Sequence, residues 1–399
     1  MLRPKIKITF QQIKSDKYPD RNAVFVMPFV TDLEISHSWK NLTDTAKLKF
    51  PRKVFFEKNN GDRFTLDGQN IIAGNESFNA PFFLRGDKIT IEAIYWYEGL
   101  DGSEVTPDYI TLFKGYITKI NPRMPVEIEC EDNMFLLKQF QAKNKLYNAS
   151  SYDSEDIVKD LINQVNASPR AQELGVTLTF HDQPQGVRTN IGNFRTLNET
   201  PAQVLERMRK MYRVNSWFKD DDLHSSMITY FPGEGIESVF IFQQNIIQDS
   251  SLTYTRADDL RVGAKCYSVN KIKSSGVNQN GATRSTNKRL EVNVGDQDGE
   301  LRTLFFYNVP TVEALKKLGE AALPRFKYEG YRGSFTTFGM PLVQHGDKVT
   351  LRDKLIPERE GKYFVHSVVT NINSGGWRQT IELDIKSDAF TAEQLANGI

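Results

Sequence analysis

The chain has 399 residues, 25% of them charged, and a formal net charge of +1. At roughly 100–200 residues per domain, that length predicts two to four domains with their own cores, and the near-neutral balance gives no reason to expect specific nucleic-acid recognition. No apolar run approaches the roughly 20 residues of a membrane-spanning helix, so no membrane insertion by this chain is expected.

The opening residues, Met1-Leu2-Arg3-Pro4-Lys5-Ile6-Lys7, pass directly into strand-like alternation and offer no apolar core or small-residue cleavage site of a signal peptide. Synthesis and folding in a cytoplasm are therefore expected. Lys5-Ile6-Lys7-Ile8-Thr9-Phe10 and Thr45-Ala46-Lys47-Leu48-Lys49-Phe50 alternate with period two, and Pro51 stops the second. Asn59-Asn60-Gly61-Asp62 is turn chemistry. Further strands are expected at 88–94, 112–120 and 126–130, one-faced and hence antiparallel around a core. The only two cysteines, Cys130 and Cys266, each sit in an apolar strand-like segment and read as buried reduced thiols.

The middle changes character. Ile157, Val158, Leu161, Ile162 and Val165 share one helical face, with Asp153 or Ser154 as N-cap. Thr200-Pro201-Ala202-Gln203 has the form of a capping box with proline at the first helical position, and Val204, Leu205, Met208, Met211 and Tyr212 form the face behind it. Short strands are expected at 176–180 and 227–231. Strand character returns at 252–255 and 262–269, and a third helix is expected over 312–326 with Leu315, Leu318, Ala322 and Phe326 on one side. Residues 273–287 are rich in Ser, Gly, Asn and Thr with almost nothing apolar, which predicts a mobile loop or an insertion ordered by a partner.

The most informative feature is an internal repeat. Phe83-Leu84-Arg85-Gly86-Asp87-Lys88-Ile89-Thr90-Ile91 matches Val343-Gln344-His345-Gly346-Asp347-Lys348-Val349-Thr350-Leu351. Each is followed by an aromatic strand, Gly115-Tyr116-Ile117 against Tyr363-Phe364-Val365, and by a closing strand, Ile128-Glu129-Cys130 against Ile381-Glu382-Leu383. The expected fold class is mainly β with an α+β insertion, built from two homologous small β-barrels. The expected domains are 1–139 (first barrel), 140–245 (α+β), 246–386 (second barrel, with the polar insertion near 273–287) and a weakly ordered tail, 387–399. Three copies of such a chain would present six equivalent barrels, a natural closed ring.

The block Gly339-Met340-Pro341-Leu342-Val343-Gln344-His345-Gly346-Asp347, then Gly361-Lys362-Tyr363-Phe364-Val365 and Ser374-Gly375-Gly376-Trp377-Arg378, resembles the signature of baseplate or tail hub proteins of contractile phages. These are the late-control-D type, related to the N-terminal part of VgrG-type spikes. Ile35-Ser36-His37-Ser38-Trp39 and the stretch 113–132 are similar to that family's first barrel. The resemblance implies a homotrimer whose pseudo-six-fold ring joins a hexameric tail-tube protein to a trimeric spike protein, among other baseplate proteins. The implied location is the virion tail or an injection-system particle assembled in the bacterial host cytoplasm. The chain ends soon after the second barrel, so any spike is expected to be a separate protein. The alternatives are a tail-tip protein of a non-contractile tail or, from another class, a cell-wall hydrolase.

The chain is expected not to be an enzyme, with no catalytic, cofactor-binding or metal-ligating residues and no cofactor. His37, His181, His224, His345 and His366 are scattered along the sequence without metal-ligand spacing, and His345 takes the place of Arg85 in the other repeat, as a turn residue would. Asp220-Asp221-Asp222 and Asp258-Asp259 read as solvated loop acids, and Arg85-Gly86-Asp87 as a turn rather than an adhesion tripeptide. No phosphate-binding loop occurs, since Gly375-Gly376 precedes a strand. Tyr95, Trp96 and Tyr97 are expected to straddle a strand rather than form a sugar platform.

Overall fold

Alternation sets the elements of the first third: β1 (Arg3–Gln11), β2 (Val24–Met27), β3 (Asp32–Ser38), β4 (Thr45–Phe50), β5 (Val54–Lys58), β6 (Arg63–Leu66), β7 (Lys88–Glu98), β8 (Glu104–Val105), β9 (Ile110–Asn121) and β10 (Val126–Glu131), then the one-turn helix α1 (Met134–Leu137). The computed structural model describes residues 3–387 other than 52, 59–62, 67–80, 99–103, 106, 149–150, 182–190, 192, 213, 227–235, 257–258, 278–282, 308, 310 and 324–325. The turn expected at 59–62, the strand expected at 227–231 and residues 388–399 of the tail thus lie outside the described residues. Pro51, which has no N–H to give a ladder, follows the last residue of β4.

The middle segment holds β11 (Lys145–Tyr147), α2 (Ser154–Asn166), α3 (Pro169–Glu173), β12 (Thr179–Phe180), β13 (Phe194–Thr196), α4 (Pro201–Tyr212), β14 (Asn215–Lys219) and β15 (Asp222–Ser226). Asp153 caps α2, and its side chain and that of Asp156 form a reciprocal capping box. At α4, Thr200 Oγ1 accepts from the Gln203 N–H (3.2 Å) while Gln203 Oε1 accepts from the Thr200 N–H (2.8 Å). The buried face of α4 is Val204, Leu205 and Met208; Met211, expected on it, lies past the core on the last turn and is 45% exposed.

The last part holds β16 (Glu237–Ile241), β17 (Ile246–Gln248), β18 (Thr253–Thr255), β19 (Val262–Val277), β20 (Thr283–Gly295), β21 (Glu300–Tyr307), α5 (Val312–Ala322), β22 (Gly330–Arg332), β23 (Ser334–Phe338), β24 (Lys348–Arg352), β25 (Gly361–Asn373) and β26 (Gly376–Lys386). Of the loop expected at 273–287, residues 273–277 and 283–287 are instead strand: β19 and β20 stay paired through Lys273 opposite Ser285 and Val277 opposite Thr283. A ladder needs only backbone partners, so a segment without an apolar face can still extend one that is anchored at its base. That base is a separate small core of Ala264, Cys266, Leu290, Val294, Leu304, Leu315 and Ala322 under α5, where Cys266 is free and buried; so is Cys130 in the first core. Helix α5 stops at Ala322, short of the expected 326, just before Pro324.

Among the described residues both repeats belong to one 16-stranded sheet, ordered β17-β23-β26-β25-β3-β4-β10-β9-β7-β1-β2-β5-β6, with β24 beside β25, β16 beside β24 and β8 beside β7. Its terminal strands do not pair with each other, so the two separate closed barrels expected from the repeat are not found. The reason lies in the 13-residue β25, long enough to take β24 on its first half and β3 of the other repeat on its second, from Ser367 opposite Ser38 to Asn373 opposite Asp32. Ile372 and Trp377 accordingly enter the first core, beside Phe10, Phe50, Phe56, Phe82 and Phe83. Each such side chain contributes roughly 1.5–3 kcal/mol on burial, so the seam between repeats is part of the fold.

Candidate functional site

The repeated turn is duplicated atom by atom. Gly86 donates to the Ile117 carbonyl (2.7 Å), Asp87 to that of Leu84 (3.1 Å), and Ile117 to that of Asp87 (2.9 Å); Gly346, Asp347 and Val365 make the same three bonds at 3.0, 3.2 and 2.9 Å. Gly86 and Gly346 have φ of +95° and +87°, which only glycine adopts without strain. The aspartate side chains match too: Asp87 Oδ2 accepts from the Leu84 N–H and Asp347 Oδ2 from the Gln344 N–H, both at 2.8 Å. Even the bulge recurs. Thr118 is skipped between Lys119 opposite Glu129 and Ile117 opposite Cys130, and His366 between Ser367 opposite Glu382 and Val365 opposite Leu383.

The copies diverge at the other carboxylate oxygen. Asp87 Oδ1 accepts from Ile13 N–H (3.0 Å), just after β1, which runs antiparallel to β7; Asp347 Oδ1 accepts from Ile236 N–H (3.0 Å), just before β16, which runs parallel to β24. Among the described residues, only the first copy's aspartate makes an ion pair. Arg21, itself buried, donates to both oxygens of Asp87 (3.0 and 2.6 Å) and also to the carbonyls of Ile13 and Phe82. Burial of Asp347, partly offset by its two N–H donors and Lys219, raises its carboxyl above the usual range.

Where the two repeats meet the middle segment, a cleft of about 250 Å³ opens between His37, Asp44, Lys114, Asp132, Trp217, Lys219, His224, His345 and Asp347. Three of the chain's five histidines, which look scattered in the sequence, line this cleft: His37, His224 and His345. His181 stacks on His224 (ring centroids 4.2 Å), His224 on Trp217 (5.5 Å), Trp217 meets His345 edge-on (6.2 Å), His345 faces His37 (6.4 Å), and His366 packs against Trp39 (5.1 Å). His37 Nδ1 lies 2.8 Å from Asp44 Oδ2 and Nε2 lies 3.0 Å from the Leu112 carbonyl. Both partners can only accept, so both ring nitrogens donate and His37 is an imidazolium. Burial pulls its pKa down, yet the charge and hydrogen bond of Asp44, with Leu112 and Asp132, outweigh that and hold it above the ordinary value. Asp132, buried and beside the Asp44 charge, holds its proton far above the usual range. Burial, reinforced by His181, Lys219 and His345, pushes His224 down to about 3; burial, reinforced by His37, Lys219 and His366 against the pull of Asp44, pushes His345 down to about 4.

No protein-family model matches the sequence, and no curated protein sequence does. Solved structures do match. The 43 kDa tail protein of prophage MuSo2 from Shewanella oneidensis is similar with a TM-score of 0.54 at 15% identity, over 96% of this chain and 98% of that one. A tail protein from Neisseria meningitidis MC58 is similar with a TM-score of 0.57 at 12% identity, over 98% and 99%. The fold is that of phage tail proteins.

Within this tail-protein fold, most of the described residues weighed for chemistry have structural employment, while Asp258 lies outside the described residues. Asp220 pairs with Lys114 (2.8 Å), Asp221 accepts from Asn133 (2.9 Å), and Asp222 accepts from Thr179, so the three carboxylates face three different partners. His37 has no lone pair left for a general base. Asp87 of the Arg-Gly-Asp tripeptide is buried against Arg21. Tyr95 stacks on Trp377 (4.9 Å) and donates to its carbonyl (2.9 Å), while Trp96 lies under Lys5 (4.7 Å) and Arg3 (5.6 Å), the straddling expected of neighbours on a strand. The sequence missed the histidine cleft because His37 and His366 approach through the β3–β25 pairing, a contact between residues more than 300 positions apart. Among the described residues no three His, Cys, Asp or Glu side chains are placed to hold a metal ion.

Proposed function

We propose that the chain is a non-enzymatic structural subunit of a phage-type tail or related injection particle, a hub whose copies form a ring between a tube and a spike. One observation carries the proposal: a single chain holds two copies of a sheet module that share a turn and a bulge bond for bond, so few copies make a ring with twice as many like positions. Three copies give a pseudo-six-fold ring able to seat on a hexameric tube above and a trimeric spike below. Similarity to two prophage and bacterial tail proteins over nearly the whole of each chain supports membership of such a particle; its assembly in the host cytoplasm is part of the same proposal. A contractile tail is the proposed setting. On the same reading the chain divides into a first sheet module (1–139), a middle α+β unit, and a second sheet module. We draw the second boundary before β16, ahead of the expected 245, because β16 pairs with β24. Light scattering of the purified chain, alone and mixed with the tube and spike proteins encoded beside it, tests this together with imaging of the product. Three copies per particle and a ring with six similar lobes are expected; a monomer under all conditions, or lysis of peptidoglycan in a zymogram, refutes it.

A further inference from the structure

The duplicated backbone allows the two modules to be aligned residue by residue through the ladders. Ile128 lies between Leu48 and Ile120, and Ile381 between Phe335 and Val368. Counting back from Leu48 and Phe335 makes Thr45 equivalent to Arg332. Ser36 lies opposite Thr45, and Thr253 opposite Arg332, so 248–255 of the second module corresponds to β3 of the first. The modules nevertheless use these edges differently. In the first module the outer edge of β3 is covered by the second half of β25. In the second module the outer edge of β17 and β18 has no partner strand among the described residues. The socket is unequal as well: 367–373 of β25 receives β3, while its counterpart on β9, beginning at Lys119, has only β10 beside it among the described residues.

We infer that a second copy of this chain fills that socket, laying its 253–255 edge along 119–121 and repeating between copies the joint that β3 and β25 make within one. The inference rests on the ring reading above and supplies its contact. The in-chain register carries over directly. Ser36 opposite Val369 becomes Thr253 opposite Asn121, His37 opposite Val368 becomes Tyr254 opposite Ile120, and Ser38 opposite Ser367 becomes Thr255 opposite Lys119. The flanks of the two edges suit each other. Beside the edge, Ile247 is 45% exposed and Asp249 is exposed; beyond the socket, Met124 is 69% exposed and Arg123 is exposed, so an apolar and a charged residue stand ready on each side. An open strand edge is a template that proteins seldom leave uncovered. A joint of this kind is head-to-tail, using different surfaces on each copy, which is what closes a ring.

Two full-length variants, Asn121→Cys and Thr253→Cys, test it when mixed and mildly oxidised. Residues directly opposite in a ladder have Cβ atoms about 4.5–5.5 Å apart, close to disulfide reach, and the native Cys130 and Cys266 are buried. The mixture is expected to give a crosslinked pair on a non-reducing gel, with neither variant crosslinking alone. In the wild-type chain, amide exchange at 119–121 and 253–255 is expected to slow on assembly, a reading that needs no substitution. An assembled ring with neither crosslink nor protection overturns this joint and leaves the ring reading standing. So does a crosslink between Gln248→Cys and Thr65→Cys, which would join the two ends of the 16-stranded sheet instead. A chain that never self-associates overturns both.

Discussion

The twin aspartates make a controlled experiment, because they share a backbone and differ in one counter-ion. Asp87→Asn replaces one carboxylate oxygen by an amino group and leaves the Arg21 guanidinium, whose side chain is 3% exposed, without its charge partner. Stranding a buried charge costs about 3–5 kcal/mol. Asp347→Asn strands no cation. One of the two backbone N–H groups, of Ile236 or Gln344, loses its acceptor, which costs about 1–3 kcal/mol. The raised pKa of Asp347 works the same way, since a carboxyl that burial already pushes toward its neutral form forfeits little when its charge is removed. Because the chain has several cores, one global unfolding energy is not well defined, and amide exchange at Gly86 and Asp87 against Gly346 and Asp347 is the suitable assay. At about 1.4 kcal/mol per tenfold, Asp87→Asn should speed exchange at its own turn by roughly two to three and a half powers of ten, and Asp347→Asn by roughly one to two. Adding Arg21→Met to Asp87→Asn should restore part of the loss. Equal effects at the two turns, or a larger one at Asp347, would refute the assignment of the difference to Arg21.

Three further outcomes follow from the same geometry. His224 and His345 titrate below the ordinary 6.5 in the folded chain, so their stabilisation is complete above that value and is lost as pH falls from 6.5 toward about 4 and about 3. His37 works in the opposite sense, stabilising below 6.5 and losing that as pH rises through its raised folded value. The urea transition of the cores around these histidines should therefore move to lower urea with acid between pH 7 and 4.5, for a local loss of up to about 1.4 kcal/mol per pH unit for each depressed histidine, and His224→Gln with His345→Gln should flatten that limb; an unchanged slope would show that other groups carry it. Gly339→Ala puts a Cβ 2.1 Å from Cδ2 of the fully buried Trp377, beyond the 1–3 kcal/mol of ordinary overpacking. It should lower the melting temperature sharply, whereas Gly375→Ala, meeting only Asn373 Oδ1 at 3.1 Å, should barely move it. Thr200→Ala should cost about 1 kcal/mol through the lost cap of α4, read as faster exchange in that helix.

Local physics made much of this fold legible in the sequence. The strands β1, β4 and β10 follow from alternation, the starts of α2 and α4 from their capping residues, and the duplication from Gly-Asp-Lys-x-Thr. What sequence reading lacked were the contacts made at long range. Nothing in Ile35-Ser36-His37 announces that it will pair with Val368-Val369-Thr370, and without that pairing the repeats look like two separate barrels and the histidines like strangers. The polar run 273–287 misled for a related reason: lack of an apolar face excludes a buried strand, and it does not exclude a ribbon held by backbone bonds alone.

The bulge that omits Thr118 in one module and His366 in the other shows how far a doubled chain can specialise. The threonine hydroxyl returns to its own ladder, donating to the Glu129 carbonyl (3.0 Å), while the histidine at the same backbone station looks out toward Trp39 and the cleft. Each chain thus repeats a main-chain turn and bulge and, at this station, fits them with different side chains. On the proposed ring reading, a partner that contacts the shared turn meets two similar stations per chain, while one that reads Thr118 or His366 meets a single one. On the proposed reading, one polypeptide addresses neighbours of two different multiplicities with no moving part.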